Sequence, residues 1–300
     1  MSVASQAPRK YDSIFRPDLF AGQVALITGG GTGIGRCIAH ELASLGARVI
    51  IAGRRQEPLQ QTVAEIREDG GQADAISLNI REPEAVDAAI EQLVTREGGL
   101  HLLVNNAGGQ FASPAAFISP KGWRAVIETN LNGTFFVSQA AYKHAMCQHG
   151  GAIVTIVADM WNGFPGMAHT GAARAGVVNL TQTLSLEWAA SRVRVNAVAP
   201  GYVLSNGLNN YPEEVQELAS QVMFQNPSAR LATEGEVSAA TLFLLSPAAA
   251  YITGTTLKVD GGSSLQKASM LDAYDHDAFP AYQGLHRQIQ VPERFIKGKK

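Results

Sequence analysis

Three hundred residues, 46% of them hydrophobic, are enough for one large domain with a substantial core. The 24 basic and 26 acidic residues leave a formal charge of −2, which gives no electrostatic case for nucleic acid or a membrane surface as partner. No apolar run reaches the ~18 residues of a membrane span. The opening "MSVASQAPRKYDSIFRPDLF" has no apolar signal core, the closing "IKGKK" is no peroxisomal signal, and Cys37 and Cys147 stand too far apart for a disulfide framework or a metal set. The expectation is a cytoplasmic chain without a structural metal.

Residues 1–20 read as a polar arm. "QVALITGG" is a short buried strand running into glycines, and "IGRCIAHELASLG" is a helix stopped by Gly46. "ARVIIAG" is a second strand, "EPLQQTVAEIREDGG" a helix with proline near its start, and "DAISLNI" a third strand. The helix "PEAVDAAIEQLVTREGG" and strand "LHLLVNNAGG" follow, then a long helix within 120–149, strand "AIVTIVA", a helix over 170–190 and strand "RVRVNAVAPG". After a looser stretch come the helix "EVSAATLFLLSP" and the strand "TTLKVDGG". Apolar strands alternating with helices predict a doubly wound, parallel α/β sheet of seven strands with helices on both faces. One domain over 21–264 is expected, with a polar tail over 265–300.

"TGGGTGIGR", Thr28 to Arg36, lies between the first strand and the first helix. Glycines there let the backbone turn tightly and approach a pyrophosphate seated on the helix N-terminal N–H groups. Gly29, Gly33 and Gly35 are the spaced glycines, Gly31 and Thr32 complete the loop, and Ile34 approaches phosphate by its backbone. A flexible turn is the plain alternative, weakened by the strand–turn–helix setting. The second strand ends in Gly53, followed by Arg54 and Arg55 where a carboxylate would hold an unphosphorylated ribose. Guanidinium groups suit a 2′-phosphate, which points to NADP(H), against a plainly solvated arginine pair.

"TGGGTGIG", "NNAG" (Asn105–Gly108), Asn130 in "ETNLNGTF", "VNAVAPG" (Val195–Gly201) and "ITGTTLKVDGG" (Ile252–Gly262) together resemble the short-chain dehydrogenase/reductase family over about residues 21–264. The resemblance implies a Rossmann-type fold, a nicotinamide cofactor and a homotetramer or homodimer. It places Asn79 and Ile80 beside the adenine, Asn106, Ala107 and Gly108 along the cofactor, and Pro200, Gly201 and Val203 near the nicotinamide.

The chain departs from that family's Ser and Tyr-x-x-x-Lys. Aligned on "AGV", Arg174 stands at the lysine place, Thr170 at the tyrosine place and Ala158 at the serine place, while Asn130 is kept. Carbonyl reduction needs an acid for the nascent alkoxide, and threonine is too weak and too short for it. Reduction of a carbon–carbon double bond beside a thioester needs only a donor for an enolate oxygen. "GGQFASPAAFISPKGWRAVIETNLNGTF", "GFPGMAHTGAARAGV" and the tail "DAYDHDAFP" resemble the peroxisomal trans-2-enoyl-CoA reductase subgroup, whose changed motif is similar.

The residue-level alternatives stay open. Thr170 is an enolate donor or a helix-start cap. Arg174 holds ribose or nicotinamide, or makes a salt bridge. Asp159 relays a proton or is solvated loop, Trp161 lines the pocket or packs, and His169 shuttles protons or is a satisfied loop histidine. Tyr202 is the best placed surrogate acid. Residues 203–230, with Met223 and Phe224, form a mobile apolar lid. His276 belongs to the tail and binds no metal. The leading expectation is an NADP(H)-dependent reductase of a hydrophobic enoyl thioester. The rivals are a dehydrogenase of hydrophobic alcohols such as citronellol, and a non-catalytic NADP-binding scaffold or sensor.

Overall fold

The structure, a computed structural model, describes residues 10–205, 207–208, 213, 216–217, 227–228, 230–265, 281–287 and 291. Met223, Phe224 and His276 lie outside the described residues, and so does much of the expected lid. Seven strands form one parallel sheet in the order β3-β2-β1-β4-β5-β6-β9. They are β1 (Val24–Thr28), β2 (Arg48–Gly53), β3 (Gln72–Ser77), β4 (Leu102–Asn105), β5 (Gly151–Ile156), β6 (Val193–Pro200) and β9 (Thr256–Val259). A separate two-stranded ladder pairs β7 (Val203–Leu204) with β8 (Ala232–Thr233).

Every residue of β1 and β4 is buried, as strands covered on both faces require. The side-chain alternation of β1 divides two core layers. Ala25 and Ile27 join the layer built with α1 (Gly33–Ser44), α2 (Gln56–Glu68) and α8 (Glu234–Leu245). Val24 and Leu26 join the opposite layer, with α3 (Pro83–Glu97), α5 (Gly133–Ala141) and α7 (Ala168–Glu187). Each fully buried leucine or isoleucine of these layers contributes roughly 2 kcal/mol by removal from water.

The expected long helix within 120–149 is interrupted twice. α4 (Pro120–Ile127) starts on the Ser119 hydroxyl, which accepts the Gly122 N–H at 3.1 Å. A π turn over Glu128–Asn132 follows, then α5, a second π turn over Tyr142–Met146, and the short α6 (Cys147–His149). α8 begins two residues earlier than the apolar pattern suggests, because Thr233 and Glu236 cap it reciprocally: the Thr233 hydroxyl accepts the Glu236 N–H at 3.1 Å, and the Glu236 carboxylate accepts the Thr233 N–H at 2.9 Å.

Segments from both ends of the chain meet on α1. The Glu41 carboxylate, fully buried, accepts hydroxyl hydrogen bonds from Tyr11 at 3.2 Å, Ser13 at 2.8 Å, Tyr282 at 3.3 Å and Ser238 of α8. Burial pushes its pKa up, and these donors oppose the rise. The Asp12 N–H donates to the Gly284 carbonyl at 2.9 Å, and Tyr11 and Leu285 are buried beside Cys37. Arg287 donates to Asp69 at 2.7 Å at the end of α2.

Between α1 and α2, Glu65 is held by Arg36 at 2.7 Å and His40 at 3.2 Å. Burial pushes the Glu65 carboxyl up, but His40 and Arg36 outweigh it and hold it at about 2, against 4.5 in the free side chain. A carboxylate depressed on folding stabilises the fold above its unfolded pKa and loses that contribution as pH falls through the folded one. Urea denaturation of wild type and Glu65→Gln from about pH 6 down to about pH 3 is expected to show wild type losing its advantage below about pH 4.5. A constant difference over that range contradicts the assignment.

Candidate active site

The residues singled out in the sequence gather at the carboxyl edge of the sheet, where β1 and β4 lie side by side although the chain runs from β1 outward to β3 before returning. Such a reversal opens a crevice between the loops that leave the two strands. Thr28 ends β1 and stands opposite Asn105 of β4. Its hydroxyl accepts the N–H groups of Asn106 at 3.1 Å and Ala107 at 3.0 Å. The Asn106 side-chain amide donates back to the carbonyls of Thr28 and Gly29, both at 3.1 Å. These bonds tie the glycine loop to the loop after β4.

The loop can take a dinucleotide only with glycine at its crowded positions. A Cβ on Gly35 would lie 2.4 Å from the Asn106 amide nitrogen, and one on Gly30 would lie 2.5 Å from the Ile51 methyl. Gly29 and Gly33 turn the chain, Gly31 accepts the Thr62 hydroxyl at 3.2 Å through its carbonyl, and Ile34 sits in the first turn of α1. Thr32 makes no side-chain cap and the first turn holds no carboxylate, so the N–H groups there are open to an anion. Arg54 and Arg55, just beyond β2, are exposed and make no ion pair with a carboxylate among the described residues. After β3, Asn79 bonds Glu82 at 3.2 Å and Ile80 is buried. The residues present fit a nicotinamide dinucleotide.

Two buried side chains, Asn130 and Arg174, meet Gly109 and Gly108 on the loop after β4. Asn130, fully buried in the first π turn, grips Gly109 from both sides: its Oδ1 accepts the Gly109 N–H and its Nδ2 donates to the Gly109 carbonyl, each at 2.9 Å. π turns recur where a helix must aim one side chain at a site. Arg174 of α7 is buried, and its Nη1 donates to the Ile156 carbonyl at 2.9 Å. Its Nη2 lies 2.5 Å from where a Cβ on Gly108 would stand, and its Nε has no partner among the described residues. No carboxylate pairs with it among the described residues. Burial pushes its pKa down to about 10, which leaves it a cation at neutral pH.

Thr170 lies one turn before Arg174 on the same buried face of α7. It does not cap the helix: the N-cap is Met167, and the Thr170 hydroxyl is 3.5 Å from His169 Nδ1. His169 Nδ1 accepts the Thr170 N–H at 2.9 Å, so a neutral ring carries its proton on Nε2, which is buried without a partner among the described residues. Phe111 meets that ring at a right angle, with centroids 4.4 Å apart.

Other candidates are drawn elsewhere. Asp159 accepts the Ser263 hydroxyl, and its N–H donates to the Pro200 carbonyl at 3.0 Å. Gly201 passes close to Asp260 and Val203 pairs with Ala232. Tyr202 shares a cavity of about 210 Å³ with Arg230, Lys258 and Asp260; neither Thr170 nor Arg174 lines it. Burial and the nearby Asp159 push the Tyr202 phenol up, making it a weaker acid. Trp161 lies 4.3 Å beneath the Lys258 ammonium. One buried carboxylate at the glycine loop, Glu234, escaped the sequence reading, since a glutamate opening a helix ordinarily signals only a favourable dipole contact.

Residues 29–264 match the family model described as enoyl-(acyl carrier protein) reductase. The chain is 39% identical over 246 residues to a probable 2,4-dienoyl-CoA reductase of Bacillus subtilis, covering 81% of this chain and 97% of that one. It is 37% identical over 265 residues to a peroxisomal 2,4-dienoyl-CoA reductase of Danio rerio, with 87% of each chain covered. Among solved structures, the citronellol catabolism dehydrogenase AtuB of Pseudomonas aeruginosa PAO1 matches with a TM-score of 0.76 and 48% identity over 85% of this chain and all of that one. The parallel sheet, the glycine loop and these relatives make the chain a member of the short-chain dehydrogenase/reductase family, oxidoreductases that work with a nicotinamide cofactor.

Proposed function

We propose that the chain is an NADPH-dependent reductase of a carbon–carbon double bond conjugated to the carbonyl of a hydrophobic acyl thioester. The observation that carries this reading is Arg174: a buried guanidinium without a carboxylate, turned toward Gly108, on a helix face that offers threonine and no tyrosine. A preorganised, desolvated cation favours an anion that forms during the reaction. The nicotinamide supplies the hydride when bound. Arg174 and the Thr170 hydroxyl then hold the enolate oxygen, and Asn130 keeps the Gly108–Gly109 backbone in place along the site. The α-carbon takes its proton from solvent through water, since the α7 face offers no tyrosine to donate it. The 2,4-dienoyl-CoA reductases among the relatives support this chemistry.

A second reading, oxidation of hydrophobic alcohols, is favoured by the 48% identity to a citronellol catabolism dehydrogenase. It requires a proton acceptor in place of tyrosine, for which Tyr202 is the candidate. Oxidation of NADPH with a series of 2-enoyl-CoA and 2,4-dienoyl-CoA thioesters, set beside reduction of NADP⁺ with citronellol and longer alcohols, separates the two. Turnover on thioesters, retained in Tyr202→Phe, is the expected result. Turnover on alcohols alone, lost in Tyr202→Phe, overturns the first reading.

Arg174→Met is expected to lower kcat on the thioester by about 10²- to 10³-fold. The same substitution is expected to leave the melting temperature unchanged or raise it, since it removes a buried charge with no counter-ion. A strongly destabilised variant contradicts this. Arg54→Ala combined with Arg55→Ala is expected to weaken NADPH binding about 10- to 100-fold with little effect on NADH, measured by fluorescence titration. Equal losses for both cofactors contradict the 2′-phosphate assignment.

A further inference from the structure

Glu234, in the first turn of α8, is 1% exposed, and neither carboxylate oxygen has a hydrogen-bond partner among the described residues. Its Oε1 lies 3.8 Å from where a Cβ on Gly33 would stand, which places the carboxylate beside the glycine loop. An unpaired buried carboxylate is costly and is not retained for packing, since an apolar side chain fills the same space without the penalty.

The charged and titratable groups around it do not neutralise it. On α1, the charge of Arg36 draws the Glu234 carboxyl down but burial outweighs it, Arg36 being hydrogen-bonded to Glu65 instead, and the Cys37 thiol is neutral, pushed up by burial. Glu41, further along α1, takes the arm and tail hydroxyls. On α8 itself, Glu236 is paired with Arg230. Arg194 of β6 donates to the Leu244 and Leu245 carbonyls at the far end of α8, Lys258 of β9 lies over Trp161, and β5 carries no ionisable side chain. From the tail, Tyr282 lends its carbonyl to Thr233 and its hydroxyl to Glu41.

We propose that Glu234 takes up a proton from solvent when the phosphates of the cofactor dock on the loop at Gly33, so that one buried carboxyl couples dinucleotide binding to pH. The pyrophosphate brings negative charge to a loop whose inner side already carries this carboxylate. Repulsion is relieved when the carboxylate becomes a neutral carboxylic acid, and the proton balance is one taken from bulk water per site. Burial already pushes the group up to about 7, so that part of the population is ionised at neutral pH before binding. Binding raises it further. Above about pH 7 affinity then falls with rising pH, because the proton must be supplied as the cofactor binds.

The test measures binding without turnover, and its outcome is independent of the thioester reading. NADPH is titrated into wild type and Glu234→Gln by fluorescence from about pH 6 to about pH 9, and by calorimetry at about pH 8 in HEPES and in Tris, whose ionisation enthalpies differ. The difference between the two proteins cancels the titration of the 2′-phosphate of NADPH. Wild type is expected to take up as much as about one proton more than Glu234→Gln, and its Kd to rise about tenfold more between about pH 7 and about pH 8.5. Glu234→Met provides the same neutral reference if the glutamine variant does not melt cooperatively. Equal proton uptake and parallel Kd curves in wild type and the neutral variant overturn the proposal.

Discussion

The seam between β1 and β4 is the constraint on which the remainder of the site depends. Parallel strands stop together at their carboxyl ends, and the two loops leaving them diverge because the next strand of each lies on opposite sides. Left alone, that divergence would open a loose gap. The Thr28 hydroxyl and the Asn106 amide close its floor with four hydrogen bonds, each worth about 1 kcal/mol net. They leave the glycine backbone facing outward. Gly35 is compelled by that floor, since the Asn106 amide occupies the space that a side chain would need.

Most of the sheet was legible because its physics is local. Short β-branched and leucine runs bounded by glycine read as strands covered on both faces, and β1, β2 and β4 fall where "VALIT", "VIIA" and "LLVN" stand. The glycine loop was legible for the same reason. The π turn that aims Asn130 was not, since i→i+5 hydrogen bonds leave no periodicity in five residues of "ETNLN". Nor was the environment of Glu234, which depends on α8 meeting α1 across some two hundred residues of chain. Arg174 was recognisable as a replacement, but its lack of a counter-ion is a property of the assembled core.

Arg174 and Glu234 are opposite in charge and alike in situation. Each is buried, each keeps polar atoms without partners, and neither pairs with the other. Glu41 and Glu65 differ from them, since each carboxylate accepts hydrogen bonds from several side chains. Proteins tolerate such local deficits when the surrounding core over-determines the structure.

The meeting of Asp12 with Gly284, and of Tyr11 and Tyr282 over Glu41, makes the domain close on itself like a clasped ring. Neither described end segment can peel away alone, because release of one strips hydroxyl donors from a carboxylate that the other still covers. Fraying from either side carries the cost of an exposed core edge and a buried charge. Amide exchange at Asp12 and in the first turns of α1 belongs for this reason to the same opening event, although nearly the whole chain separates residue 12 from its partner.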